Sequence, residues 1–184
     1  MVNAVQLALG ANVRGLWGEP RASLLRACRE LEAAGIEIVR CSNFYVTTPI
    51  GGRRQPRYLN AVLTVRTSAA PGALLRLVKS MERRAGRKLA PRMSARPLDI
   101  DILDYAGRRI GRPGGHRRHG QLILPHPEMH RRAFVLRPLQ DVAPHWQHPV
   151  FGRPVKALLT HLKSADRAGV TLDSARNSCK KGLS

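Results

Sequence analysis

The chain has 184 residues, a length that fits one domain with a sizeable core, and 43% of them are hydrophobic against 24% charged. No apolar run approaches the roughly 20 residues that cross a bilayer, so the composition excludes a bundle of membrane-spanning helices. Lys and Arg number 32 against 12 Asp and Glu, a formal charge of +20, and the expected partner is therefore anionic: a nucleotide, a nucleic acid or an acidic surface.

The stretch Val2 to Gly10 alternates Val5, Leu7 and Leu9 with smaller or polar residues and predicts a first strand. It lacks the basic flank and apolar block of a secretory signal. The cysteines Cys28, Cys41 and Cys179 have no zinc-ligand spacing. A reducing, cytoplasmic setting is the expectation, with Cys28 and Cys41 as packing residues. From Pro20 to Ala34 the spacing of Leu24, Leu25, Cys28 and Leu31 predicts an amphipathic helix, with Pro20 in its first turn and Gly35 at its stop. Ile36 to Val39 and Phe44 to Thr47 form a second extended run, and Tyr58 to Val65 a third. A Pro/Gly-punctuated loop, 48–56, separates them.

A second helix is expected from Pro71 to Arg84, with Gly86 just past its end, and then a strand from Leu98 to Tyr105. The order β, α, β, β, α, β predicts a single α+β domain with a ferredoxin-like βαββαβ core, in which helices cover one face of an antiparallel sheet. After a basic, glycine-rich segment at 108–120, helical patterns recur near His130 to Gln140 and Pro154 to Leu162. The expected domain is 1–163. Residues 164–184 are expected to be a poorly ordered tail.

Asp99 and Asp101 stand two apart in the strand Leu98-Asp99-Ile100-Asp101-Ile102. Strand periodicity puts both carboxylates on one face, about 7 Å apart, with Leu98, Ile100 and Ile102 on the other. Paired hard oxygen ligands suit Mg²⁺ bound together with substrate phosphates, while the competing interpretation is a solvated sheet face. Arg87, Lys88, Arg92 and Arg96 immediately precede the pair. Cations beside two carboxylates are the composition of a magnesium-polyphosphate site. No Walker-type loop, dinucleotide fingerprint or activated nucleophile appears, so a nucleotide must be held by side chains and metal. His116, His119, His126, His130, His145 and His148 lack a zinc-type pattern, and all but His126, set apart by its neighbours, are expected to be scattered surface residues.

Three motifs occur in order. These are Phe44-Tyr45 through Gln55-Pro56, Tyr58, Leu59, Asn60 and Ala61; Arg96-Pro97-Leu98-Asp99-Ile100-Asp101-Ile102; and Leu124-Pro125-His126-Pro127 with Met129, Arg132, Phe134-Val135-Leu136 and Pro138-Leu139. With Leu9-Gly10-Ala11-Asn12 they resemble the hydroxymethyldihydropterin pyrophosphokinase family over about residues 4 to 162. The resemblance implies transfer of pyrophosphate from ATP to 6-hydroxymethyl-7,8-dihydropterin in tetrahydrofolate biosynthesis. It implies that Asp99 and Asp101 hold two Mg²⁺ ions, and that Arg87, Arg96 and Arg132 meet phosphate. It places Glu82, Ile102 and His126 at the nucleotide, and Thr47, Thr48, Ile50, Tyr58, Asn60 and Phe134 at the pterin. Phe134 supplies an aromatic face, and Asn60 a donor and an acceptor for the ring edge. The loops at 48–56 and 86–96 are expected to close over the substrates.

Two other readings follow from the same residues. A basic nucleic-acid-binding protein fits the charge but not the 4% aromatic content or the absence of an RNA-binding motif. A catalytically silent family member acting as an assembly partner is opposed by the intact Asp99, Asp101, Arg96 and Arg132. A monomer without a membrane partner is expected, with charge enough for non-specific nucleic-acid binding.

Overall fold

The computed structural model describes residues 2–48, 55–88, 94–111 and 121–174. Strand β1 (Asn3–Ala11) occupies the middle of the sheet, between β4 (Tyr58–Thr67) and β5 (Asp99–Tyr105), antiparallel to both. The second extended run is divided into β2 (Glu37–Cys41) and β3 (Tyr45–Thr47), which pair with successive parts of β4. Ser42 makes that division: it is fully buried, and its hydroxyl accepts the Val62 amide at 2.9 Å. A strand amide is thus satisfied by a side chain where the ladder is interrupted. Counted as one interrupted strand, β2 and β3 complete the expected βαββαβ order.

Helices α1 (Pro20–Ala33) and α2 (Pro71–Arg84) each begin with proline, whose fixed φ and missing N–H suit a first turn. Their apolar stripes pack with Val5, Leu7, Leu63, Ile100 and Ile102 into one core cluster, which also takes the buried thiols of Cys28 and Cys41. In α2 the buried stripe is Leu74, Val78, Met81 and Glu82. A carboxylate inside an apolar stripe requires its own partners.

The expectation of helices on one face covers only α1 and α2. Helices α3 (Ala133–Val142) and α4 (Val155–His161) pack on the opposite face, around Val62, Leu103, Met129, Leu136 and Leu139. Leu103 reaches this second cluster by the alternation that also turns Asp99 and Asp101 to that face, whereas Tyr105 packs in the α1/α2 cluster because β5 is irregular against β1: Leu7 pairs with Ile102, but Gln6 pairs with Asp104. One residue of β5 is extra, as in a bulge, and the alternation slips.

The tail expected from residue 164 begins with α5 (Ser164–Ala168) and β6 (Val170–Leu172), which adds a strand beside β3. Val170 and Leu172 were too short a β-run to read as a strand from pattern. Of the residues named from sequence, Ile50, Arg92, His116, His119 and Cys179 lie outside the described residues. No described helix is long and apolar enough to cross a membrane.

Candidate active site

The centre of the sheet carries a gap on its α3 side because two positions of β1 are small. Gly10 pairs with Asn60 on β4 and with Asp99 on β5, while Ala8 pairs with Val62 and Asp101. A Cβ at Gly10 would come within 3.2 Å of the Asn60 Oδ1, so glycine leaves the side chains on either flank room to face each other. The result is a cleft of about 220 Å³. Its floor is Ala8 and Gly10, with Asp99, Asp101 and Arg96 on one side and Thr47, Tyr58 and Asn60 on the other. Arg132 and Phe134 face it from the start of α3, and Thr48 and Gln55 border it.

The β4 side is a preorganised polar wall. Asn60 Nδ2 donates to Thr47 Oγ1 at 2.9 Å across the β3–β4 pairing. That bond consumes one of the two amide hydrogens of Asn60 and fixes the orientation of the side chain. Tyr58 donates its hydroxyl to the Ser94 carbonyl at 3.4 Å, which joins the β4 wall to the segment before β5. Burial raises the pKa of that phenol, and the nearby Arg96 guanidinium acts in the opposite sense. On the α3 side the Arg132 guanidinium carbon is 5.8 Å from the Phe134 ring centroid, and both side chains line the cleft.

The β5 side is densely charged. Asp99 accepts from Arg87 through Oδ1 and from Arg96 through Oδ2. Burial pushes its carboxyl up, but the Arg96 and then the Arg87 guanidinium outweigh burial and hold it below the ordinary carboxylate range. Asp101, one strand repeat further, makes looser contacts: Lys79 Nζ lies 4.0 Å from Oδ1 and His126 Nε2 3.8 Å from Oδ2. The imidazole is aimed from its other end, where Nδ1 accepts the Glu128 amide at 3.2 Å. The backbone amide of His126 also donates to the Leu103 carbonyl at 2.8 Å, tying the segment to β5.

The side chains of two residues expected at the nucleotide do not line this cleft. Ile102 lies 4% exposed in the α1/α2 core, because strand alternation that turns Asp101 into the cleft turns its neighbour away. Glu82 does not line the cleft either. Its Oε1 accepts Lys79 Nζ and the Ile100 amide, each at 2.7 Å, and its Oε2 accepts Arg87 at 2.7 Å. Burial raises its pKa, opposed first by the Lys79 ammonium. The carboxylate acts as a brace from α2 to the backbone between the two aspartates and to Arg87.

Ala8, Gly10, Asn12 and Lys79 were not assigned a role by pattern. The first three belong to the run Ala8 to Asn12, whose small residues were the available signal. Asn12, 2% exposed, exchanges bonds with the Arg96 backbone and donates to Gln55 Oε1 and the Pro56 carbonyl, both at 3.3 Å. Lys79 carried no such signal, being one basic residue on a helix rich in them. Among the described residues no group of three or more His, Cys, Asp or Glu gathers as a metal cluster.

The family described as 7,8-dihydro-6-hydroxymethylpterin-pyrophosphokinase matches residues 6–144. A relative from Synechocystis sp., named 2-amino-4-hydroxy-6-hydroxymethyldihydropteridine pyrophosphokinase, is 34% identical over 154 residues, covering 83% of this chain and 73% of the relative. A relative of the same name from Aquifex aeolicus is 35% identical over 152 residues, covering 83% of this chain and 88% of its own. Among solved structures, the wild-type Plasmodium falciparum HPPK-DHPS matches with a TM-score of 0.63 at 16% identity. The match covers 87% of this chain and 44% of that one, so this chain spans less than half its length, and the likeness is one of fold.

Proposed function

The chain belongs to the 7,8-dihydro-6-hydroxymethylpterin-pyrophosphokinase family, and from that premise we infer that it is an ATP-dependent diphosphotransferase, moving pyrophosphate from ATP to 6-hydroxymethyl-7,8-dihydropterin. The products are AMP and the pterin diphosphate, an intermediate suited to folate synthesis. The observation that carries the reading is the division of one cleft into a charged β5 side and a polar, aromatic-faced β4 side, with Gly10 between them.

The pterin is assigned to the β4 side. Its flat ring would lie against Phe134, with Asn60, Thr47 and Tyr58 at the ring edge and Thr48 and Ile50 beside it. The bond that Asn60 gives Thr47 leaves its second amide hydrogen and its carbonyl oxygen for the ring. The triphosphate is assigned to the β5 side, with Arg87, Arg96 and Arg132 opposing charge on the transferring group and His126 at the nucleotide. Glu82 is given a supporting part, holding Arg87 and the Ile100 amide.

The residues present fit magnesium. Asp99 and Asp101 share a strand face toward the cleft, and the arginine bonds of Asp99 leave lone pairs on each oxygen. Two carboxylates cannot complete an octahedral shell, which accords with ions that share phosphate oxygens and water. Asp99 and Asp101 would hold two Mg²⁺ ions together with ATP, and bound there the ions would supply neutralisation of phosphate charge.

Release of AMP from ATP and Mg²⁺ with 6-hydroxymethyl-7,8-dihydropterin, compared between the natural chain and Asp101→Ala, tests this reading. Pterin-dependent AMP is expected from the natural chain and a loss of at least about a thousandfold in the variant. ADP in place of AMP would make the transferred group wrong. No turnover, together with equal RNA binding by both proteins, would favour the basic-binder reading.

A further inference from the structure

Strand β3 has three residues, and through them it builds half of the β4 wall: Tyr45 pairs with Asn60, Val46 with Leu59 and Thr47 with Tyr58. So short a strand holds its place poorly when only one edge is bonded. The second edge is taken by β6, with Thr47 opposite Val170, Val46 opposite Thr171 and Tyr45 opposite Leu172. The ladder ends in a clasp. The Asp173 amide donates to the Phe44 carbonyl at 2.9 Å, and the Asp173 carboxylate accepts from Arg21 of α1. The Arg21 guanidinium in turn covers the Phe44 ring at 5.1 Å from its centroid. Val170, like Phe134, packs against the α3/α4 core cluster, and no residue of β6 lines the cleft.

We propose that residues 164–173 are a strap that sets pterin affinity by positioning Thr47 and Thr48, with Arg21 and Asp173 as its positioning residues. The proposal rests on the assignment of the pterin to the β4 side. Two features separate this role from general stability. The strap lies beyond the family match at 6–144, and the buried apolar residues of both core clusters all precede it, ending at Leu159. Its loss therefore loosens the Thr47 edge and leaves the charged β5 side in place.

The test uses the full chain, a chain stopped after Lys163, and the full-length variants Asp173→Asn and Arg21→Met. Dissociation constants are measured for 6-hydroxymethyl-7,8-dihydropterin in the presence of Mg²⁺ and a non-hydrolysable ATP analogue, and for the analogue without pterin. Shortening is expected to weaken pterin binding about tenfold or more while the analogue stays within about twofold. Each full-length variant should weaken pterin binding about threefold, and these carry the test if the shortened chain does not fold. Unchanged pterin affinity in folded variants overturns the strap and leaves the functional reading standing. A full chain that binds the ATP analogue but no pterin overturns that reading, and the strap's role with it.

Discussion

Asn12 and Arg96 bond each other reciprocally: the Arg96 amide donates to Asn12 Oδ1 at 2.7 Å, and the Asn12 amide donates to the Arg96 carbonyl at 3.0 Å. The end of β1 is thereby fastened to the residue whose guanidinium grips Asp99. The same asparagine reaches Gln55 and Pro56, at the end of the 48–56 segment. One buried amide side chain holds the margins of both substrate-side segments together.

Asn12→Ala should therefore reduce turnover as well as stability. It leaves the Arg96 amide without its side-chain partner, at a cost of about 1–3 kcal/mol. Displacement of the guanidinium should lower kcat by about tenfold or more, because the proposed reaction assigns that group to the phosphate. Urea unfolding and steady-state kinetics on the same preparation check both parts; a folded variant with undiminished kcat would show that Asp99 holds Arg96 unaided.

Glu82→Gln tests the brace between α2 and β5. The variant sets a neutral amide between Lys79 and Arg87, which lose their shared counter-charge. Breaking a buried pair on one side is strongly destabilising, but Lys79 is about a third exposed, and solvent reduces the penalty. A loss of about 2–3 kcal/mol in chemical unfolding is expected. Arg87 should also leave Asp99 more easily, raising the Mg²⁺ concentration dependence of turnover.

Gly15→Ala probes a contact next to the charged side. A Cβ at Gly15 would lie 2.4 Å from both the Ala85 carbonyl oxygen and Pro97 Cβ, and the Leu16 amide donates to that same carbonyl at 2.9 Å. The chain on either side of 86–96 must move apart to admit one methyl group. Destabilisation of about 1–3 kcal/mol is expected, visible as a lower thermal midpoint, with kcat reduced because Arg87 and Arg96 lie just inside those contacts.

His148 should give the fold a pH dependence of its own. Burial lowers its pKa to about 4, followed in effect by His130 and Arg109, while its Nδ1 accepts the Val150 amide at 3.2 Å. The unfolded chain takes up this proton near pH 6.5 and the folded chain only near 4. Stability contributed by the neutral ring is complete above about 6.5 and falls as pH drops through that window, by roughly 3 kcal/mol at full protonation. His148→Asn, which retains an acceptor for the amide, should flatten the unfolding free energy between pH 4 and 6.5; an unchanged slope would assign the dependence to other groups.

Much of the site was legible because its signals are local. The placement of Asp99 and Asp101 on one face follows from strand periodicity, and the structure puts both in the cleft. The helix from Pro71 to Arg84 was readable to its ends, since proline and glycine mark helix boundaries through backbone geometry. The three motifs carried the family, with the fold class and reaction that belong to it.

Other features depend on residues distant in sequence. The periodicity of α2 put Glu82 among apolar neighbours, but only the approach of β5 provides the Ile100 amide that makes burial there tolerable. The Ile102 side chain packs in the core because strand alternation turns it away from the face that Asp101 occupies. The helical patterns of α3 and α4 were readable but not the sheet face they cover, and the strand at Val170–Leu172 has little local signature, since a three-residue strand is stable only against a partner already in place. The sequence by itself determined the chemistry, through the paired aspartates, the arginines and the aromatic and amide residues. Tertiary structure decided which of them share a cleft, because pairing across β1 fixes the distance between Asn60 and Asp99 and no local pattern encodes that register.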